Sequence, residues 1–87
     1  MPKSNAPPID GRRIWRERLR LRMTQLQVCQ AVAERGGRLD PGNLSRIENG
    51  RLLRPSLRTL DLIAEVLGVK TDDLFDEEDE LTAELVA

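Results

Sequence analysis

Hydrophobic residues in this chain recur at intervals of three and four, and nowhere alternate with polar ones for the length of a strand, so the pattern predicts helices throughout. Ile14, Trp15, Leu19 and Leu21 supply the apolar stripe of a first helix over GRRIWRERLRLR, with Asp10 before it as an N-cap. Leu26, Val28, Cys29, Val32 and Ala33 build a second, opened by Thr24-x-x-Gln27. That spacing is a capping box, in which each side chain satisfies the other residue's free backbone amide. Gly36-Gly37 stops the helix. Asp40 and Pro41 offer an N-cap and a first-turn proline for a third helix ending at Gly50. Pro41-Gly42 can instead form a turn, with Asn43 as the N-cap. A fourth helix follows Pro55 and Ser56, with Leu57, Leu60, Ile63, Ala64 and Leu67 on one side and Gly68 closing it. Thr71 is placed to cap a fifth, whose early acids, Asp72 and Asp73, favour the positive end of the helix dipole. The expected architecture is a compact, all-α, five-helix domain over residues 9–75.

Composition removes several classes of function. With 87 residues, 39% of them apolar, the chain can build one small core and has no room for two domains. Cys29 is the single cysteine and histidine is absent, so neither a disulfide framework nor an ordinary Cys/His zinc site is expected. Without His or Tyr no nucleophile–base pair assembles, which argues against an enzyme; no cofactor is expected. No apolar run approaches the roughly 20 residues that cross a bilayer, and the opening MPKSNAPPID lacks the apolar centre of a signal peptide. Residues 1–8 read as a flexible arm, and the chain as cytoplasmic.

A net charge of −1 conceals a division. Residues 1–70 carry all 14 Lys and Arg against the seven acids Asp10, Glu17, Glu34, Asp40, Glu48, Asp61 and Glu65; residues 71–87 carry no base and the remaining eight of the 15 acids. A basic body followed by an acidic end fits a polyanion-binding domain with a regulatory or solubilising tail over residues 76–87, or equally a solvated charge run. Within the body, NLSRIENGRLLRPSLRTL gathers Arg46, Arg51, Arg54 and Arg58 around a Glu-Asn-Gly turn, which points to an anionic partner.

Two short helices joined end to end, the second basic at its exposed positions and ending in Asn-Gly, meet the needs of a helix-turn-helix. Residues 11–75 resemble the Cro/C1-type (XRE) family of helix-turn-helix regulators, whose domain is lambda repressor-like. The resemblance rests on Thr24-Gln25, on Ser45-Arg46-Ile47-Glu48-Asn49-Gly50, on Arg54-Pro55, and on Leu67-Gly68-Val69 followed by Leu74-Phe75. Three departures stand out. The turn before the recognition helix is longer by about five residues, within AERGGRLD. Arg22 occupies the place of the glycine that often ends helix 1, and the recognition helix opens with Asp40-Pro41-Gly42-Asn43 instead of a run of polar readers.

The resemblance implies double-stranded DNA as the partner and assigns roles to residues. Gln25 corresponds to a phosphate-contacting glutamine at a helix start, where backbone amides favour phosphate. Arg46 and Asn43, with Pro41 and Gly42, lie on the face expected to enter the major groove, where Arg can pair with guanine O6 and N7 and Asn with adenine N6 and N7. Asn49, Arg51 and Arg54, and more weakly Arg58, fall where the family follows the DNA backbone. Glu48 resembles the family's buried glutamate and should pair with Arg18, a scaffold role. Cys29 reads as a packed thiol. Trp15 reads as partial core, its alternative being a contact with the C-terminal segment or a second subunit.

Together these features imply a DNA-binding transcriptional regulator, a repressor that occupies operator DNA as a homodimer. The alternative is an antitoxin-type protein whose C-terminal segment binds a partner protein. Leu81, Leu85 and Val86 have helical spacing and suit packing on the domain, a dimer seam or a frayed tail.

Overall fold

A computed structural model describes residues 8–75. Four α-helices run in order, α1 (Gly11–Arg20), α2 (Gln25–Glu34), α3 (Pro41–Glu48) and α4 (Leu57–Leu67), followed by a single 3-10 turn (Thr71–Leu74). The all-α class is as expected, but the fifth element is not an α-helix. Asp73 closes it by accepting from the Lys70 amide at 3.3 Å, and by Phe75 the backbone is extended and pairs with Ile9 in an isolated antiparallel bridge. The Asp10 amide donates to the Leu74 carbonyl at 2.7 Å and the Ile9 amide to the Leu53 carbonyl at 3.2 Å. Thus the end of the domain is drawn back to the entry of α1. The expected arm lies almost wholly outside the described residues, as do the acidic run 76–80 and Leu81, Leu85 and Val86.

Side-chain caps fix where each helix begins. Asp10 accepts from the Arg13 amide, Thr24 from Gln27, Asp40 from Asn43 and Ser56 from Thr59. The capping box of α2 is complete, the Thr24 amide donating to Gln27 Oε1 at 2.8 Å. At α3 the two possible starts are resolved by Asp40, whose Oδ1 takes the Asn43 amide at 2.7 Å. Asn43 therefore sits inside the helix and is not its cap.

Ile14, Val28, Val32, Leu44, Ile47, Leu60, Ile63, Leu67 and Leu74 form the centre of the core, with Ile9, Cys29 and Ala64 completing it. In α2 the buried face is Val28, Cys29 and Val32; α4 buries Leu60, Ile63, Ala64 and Leu67 against it. Each short helix has one narrow contact face, so several expected core positions fall outside it. Trp15 is 44% exposed, Leu26 55% and Leu57 61%; Leu19, Leu21 and Ala33 are exposed as well. The buried stripe of α1 is instead Gly11, Ile14 and Arg18. Gly11 sets this rotation, because its backbone lies against the Ile47 carbonyl of α3, where any side chain would collide.

The longer turn before α3 is folded onto α4. Gly36 takes φ +88°, and its carbonyl accepts from Arg58 Nη2 at 3.0 Å. A Cβ at Gly37 would collide with side-chain carbons of Leu62 and Val32. Arg35 pairs with Glu65 at 3.2 Å, and Leu39 packs on the core. These contacts hold the approach to α3 in place of a tight turn.

Candidate nucleic-acid interface

α3 is amphipathic over two turns. Leu44, Ile47 and Glu48 are buried, Pro41, Gly42 and Arg46 are exposed, and Asn43 and Ser45 are half-buried at the edge. The outward side therefore carries three of the four expected base readers fully and Asn43 partly. Asn43 is partly engaged, its side-chain amide donating to Asp40 Oδ2 at 3.4 Å. The Arg46 side chain is exposed and makes no hydrogen bond or ion pair among the described residues.

Beyond α3 the chain reverses tightly. Gly50 adopts φ +79°, and the Arg51 and Leu52 amides both donate to the Arg46 carbonyl, at 2.8 and 3.1 Å. A left-handed residue just past a helix end is the usual way of satisfying its last carbonyls, and glycine adopts that conformation without a Cβ penalty. Asn49 donates from its side-chain amide to Ser45 Oγ at 3.2 Å. Arg51 and Arg54 are both exposed after this turn. Their chain positions follow directly from the end of the recognition helix.

Under α3 lies an ion-paired hub. Arg18 Nε donates to Glu48 Oε2 at 2.6 Å and Nη2 to Oε1 at 2.9 Å, while Nη1 donates to the Met23 carbonyl at 2.9 Å. A two-pronged arginine–carboxylate pair fixes direction as well as distance. Gln25 adds a third member that residue spacing alone did not reveal, its Nε2 donating to Glu48 Oε1 at 3.0 Å. The first residue of α2 is thereby tied to the last residue of α3. An amide nitrogen has two hydrogens, so this bond leaves Gln25 a second donor as well as its carbonyl.

Among the described residues, ion pairs or hydrogen bonds engage the side chains of five of the twelve arginines. Arg13 and Arg20 are drawn to Glu17, and their hydrogen bonds, Arg20 first, hold its carboxyl below the ordinary carboxylate range. Arg18 belongs to Glu48 and Arg35 to Glu65. Arg58, expected along the backbone of a nucleic acid, donates to Gly36 and so has a scaffold partner. Arg46, Arg51 and Arg54 are exposed and have no ion pair among the described residues, as is also true of Arg12, Arg16, Arg22 and Arg38. Trp15 and Arg12 line a shallow groove with Glu48 and Asn49 at the end of α3. The apolar pattern of α1 gave no sign of this, since it placed Trp15 with the core.

Among the described residues no group of three or more Cys, Asp or Glu side chains is placed to hold a metal ion, and no helix is long and apolar enough to cross a membrane. Comparison with protein-family models matches the helix-turn-helix model over residues 14–74, from the centre of α1 to the last residue of the 3-10 turn. Comparisons with curated proteins and with solved structures each found no match. With the capped second helix, the exposed basic side of α3 and the hub beneath it all inside the matched span, the chain belongs to the Cro/C1-type (XRE) helix-turn-helix family of DNA-binding regulators.

Proposed function

We propose that this protein is a sequence-specific transcriptional repressor that binds operator DNA as a homodimer and excludes polymerase by occupying the site. The observation that carries the reading lies on and just after the recognition helix, where Arg46, Arg51 and Arg54 are exposed and make no ion pair among the described residues. Arg46 reads a base from the outward side of the recognition helix, with Asn43, Pro41 and Gly42 setting the fit at its first turn. Gln25, Asn49, Arg51 and Arg54 hold phosphates, which position the helix without choosing the sequence. Arg58 is assigned to the turn before α3. The acidic run 76–80 lowers affinity for random DNA by screening the basic side, an effect that fades as salt rises.

Selection of bound sites from random duplexes by the full chain tests this reading. The expected product is a preferred sequence in two inverted half-sites about 34 Å apart, one turn of the duplex. Enrichment of no sequence over random duplex would defeat it. A stoichiometric protein co-purifying with the chain would favour the antitoxin reading, which the charge division and the apolar positions Leu81, Leu85 and Val86 support.

A further inference from the structure

Arg22 is the single non-glycine residue with positive φ among the described residues, at +58°. The fold imposes that conformation. At the end of α1 the Arg22 amide donates to Leu19 and the Met23 amide to Arg18, the double closure that calls for a left-handed residue just past the helix. Arg18 then holds the Met23 carbonyl, so the turn is pinned from both sides. Glycine suits such a position, and a residue with a Cβ is disfavoured in it.

Nothing in the scaffold calls for an arginine here. The side chain is exposed, and it makes no hydrogen bond or ion pair among the described residues. Its surroundings do suggest a use. Arg22 lines an open groove with Leu19, Thr24, Gln25, Leu26 and Pro41, which brings it to the same side as the start of α2 and the first residue of the recognition helix. Unfavourable backbone conformations persist where they serve a site.

We propose that Arg22 is a further DNA-contacting residue, its guanidinium neutralising a backbone phosphate beside the one held by Gln25. This extends the operator-binding reading above and depends on it. A phosphate contact raises affinity for every sequence and adds to the salt dependence of binding, because each neutralised phosphate releases condensed counterions. The backbone cost and the binding gain are carried by one residue, so a single substitution should move stability and affinity in opposite directions.

The test compares the full chain with Arg22→Gly and Arg22→Lys, measuring thermal unfolding and binding to the selected site and to a random duplex across a range of salt. Arg22→Gly should raise Tm by about 2–5 °C through relief of the left-handed backbone. It should also weaken both duplexes by roughly fivefold near 0.15 M salt and reduce the salt slope by about 0.9. Arg22→Lys keeps the charge and should keep both the slope and the wild-type Tm. An Arg22→Gly chain with unchanged affinity and slope, in a protein whose wild type selects DNA normally, overturns this inference and leaves the operator reading intact. A wild type without DNA binding overturns both.

Discussion

Arg18 and Glu48, thirty residues apart, face each other through two hydrogen bonds of 2.6 and 2.9 Å, with their side chains only 10% and 3% exposed. The pair joins the last turn of α1 to the last residue of α3, and Gln25 ties α2 to the same carboxylate. The recognition helix is thus held to both neighbouring helices through one buried group. Loss of Glu48 strands a buried guanidinium, so Glu48→Ala should cost about 3–5 kcal/mol, a large part of the stability of so small a domain. Urea unfolding measures this; replacing both partners together by Arg18→Met and Glu48→Leu should recover much of the loss, since no charge is then left alone.

Gly11 is required by contact. A methyl group there would meet the carbonyls of Ile47 and Glu48, which are backbone and cannot rotate away. Gly11→Ala should therefore destabilise the domain by about 1–3 kcal/mol, despite alanine's better helix propensity. A stability equal to or above wild type in the same unfolding assay would mean that α1 and α3 can separate without loss.

Arg46 and Arg54 are both exposed, yet they have different tasks in the proposed complex. Arg46→Ala should cost about 1–3 kcal/mol on the preferred site and relax one base position. Arg54→Ala should weaken all sequences alike and lower the salt slope by about one. Titrations against selected and random duplexes separate the outcomes, and equal losses on both duplexes for both variants would refute the division.

Cys29 is buried, and burial, followed by the nearby carboxylates Asp40 and Glu48, pushes its thiol pKa upward. The folded thiol keeps its proton at a pH where the unfolded thiol, with a pKa of about 8.5, has released its own. The unfolded state then binds fewer protons, so this contribution to stability is intact below about 8.5 and is lost as pH rises above it. Alkylation of the native thiol at neutral pH should be slow and should follow unfolding. Rapid labelling of the folded chain would show that the thiol is accessible.

Much of the fold could be read from local chemistry because caps and stops act over one turn. Asp10, Thr24 with Gln27, Asp40 and Ser56 each open a helix through a bond to the amide three residues on, a distance visible in the sequence. Gly68 closes α4 in a left-handed turn at φ +75° for a reason equally local. Thr24-Gln25, the motif from Ser45 to Gly50, Arg54-Pro55 and Leu67-Gly68-Val69 with Leu74-Phe75, taken in order, suggest through resemblance to the family both the kind of partner and the Arg18–Glu48 pair.

What needed the tertiary structure was the direction each helix faces. Apolar spacing in α1 favours Ile14, Trp15, Leu19 and Leu21, yet the contact between Gly11 and α3 turns Ile14 and Arg18 inward and leaves the other three exposed. Periodicity reports which residues are apolar on a helix; which of them are covered depends on where the next helix touches. The same reason separates the arginines. Arg58 and Arg54 look alike in sequence, but Arg58 meets the Gly36 carbonyl only because the long turn folds back onto α4. Gln25 joins Glu48 only because the two helix ends converge. Residue type and spacing thus determined the helices, their ends and the chemistry available to them, whereas long-range packing, which no local pattern encodes, decided which charges are engaged by the scaffold and which have no partner among the described residues.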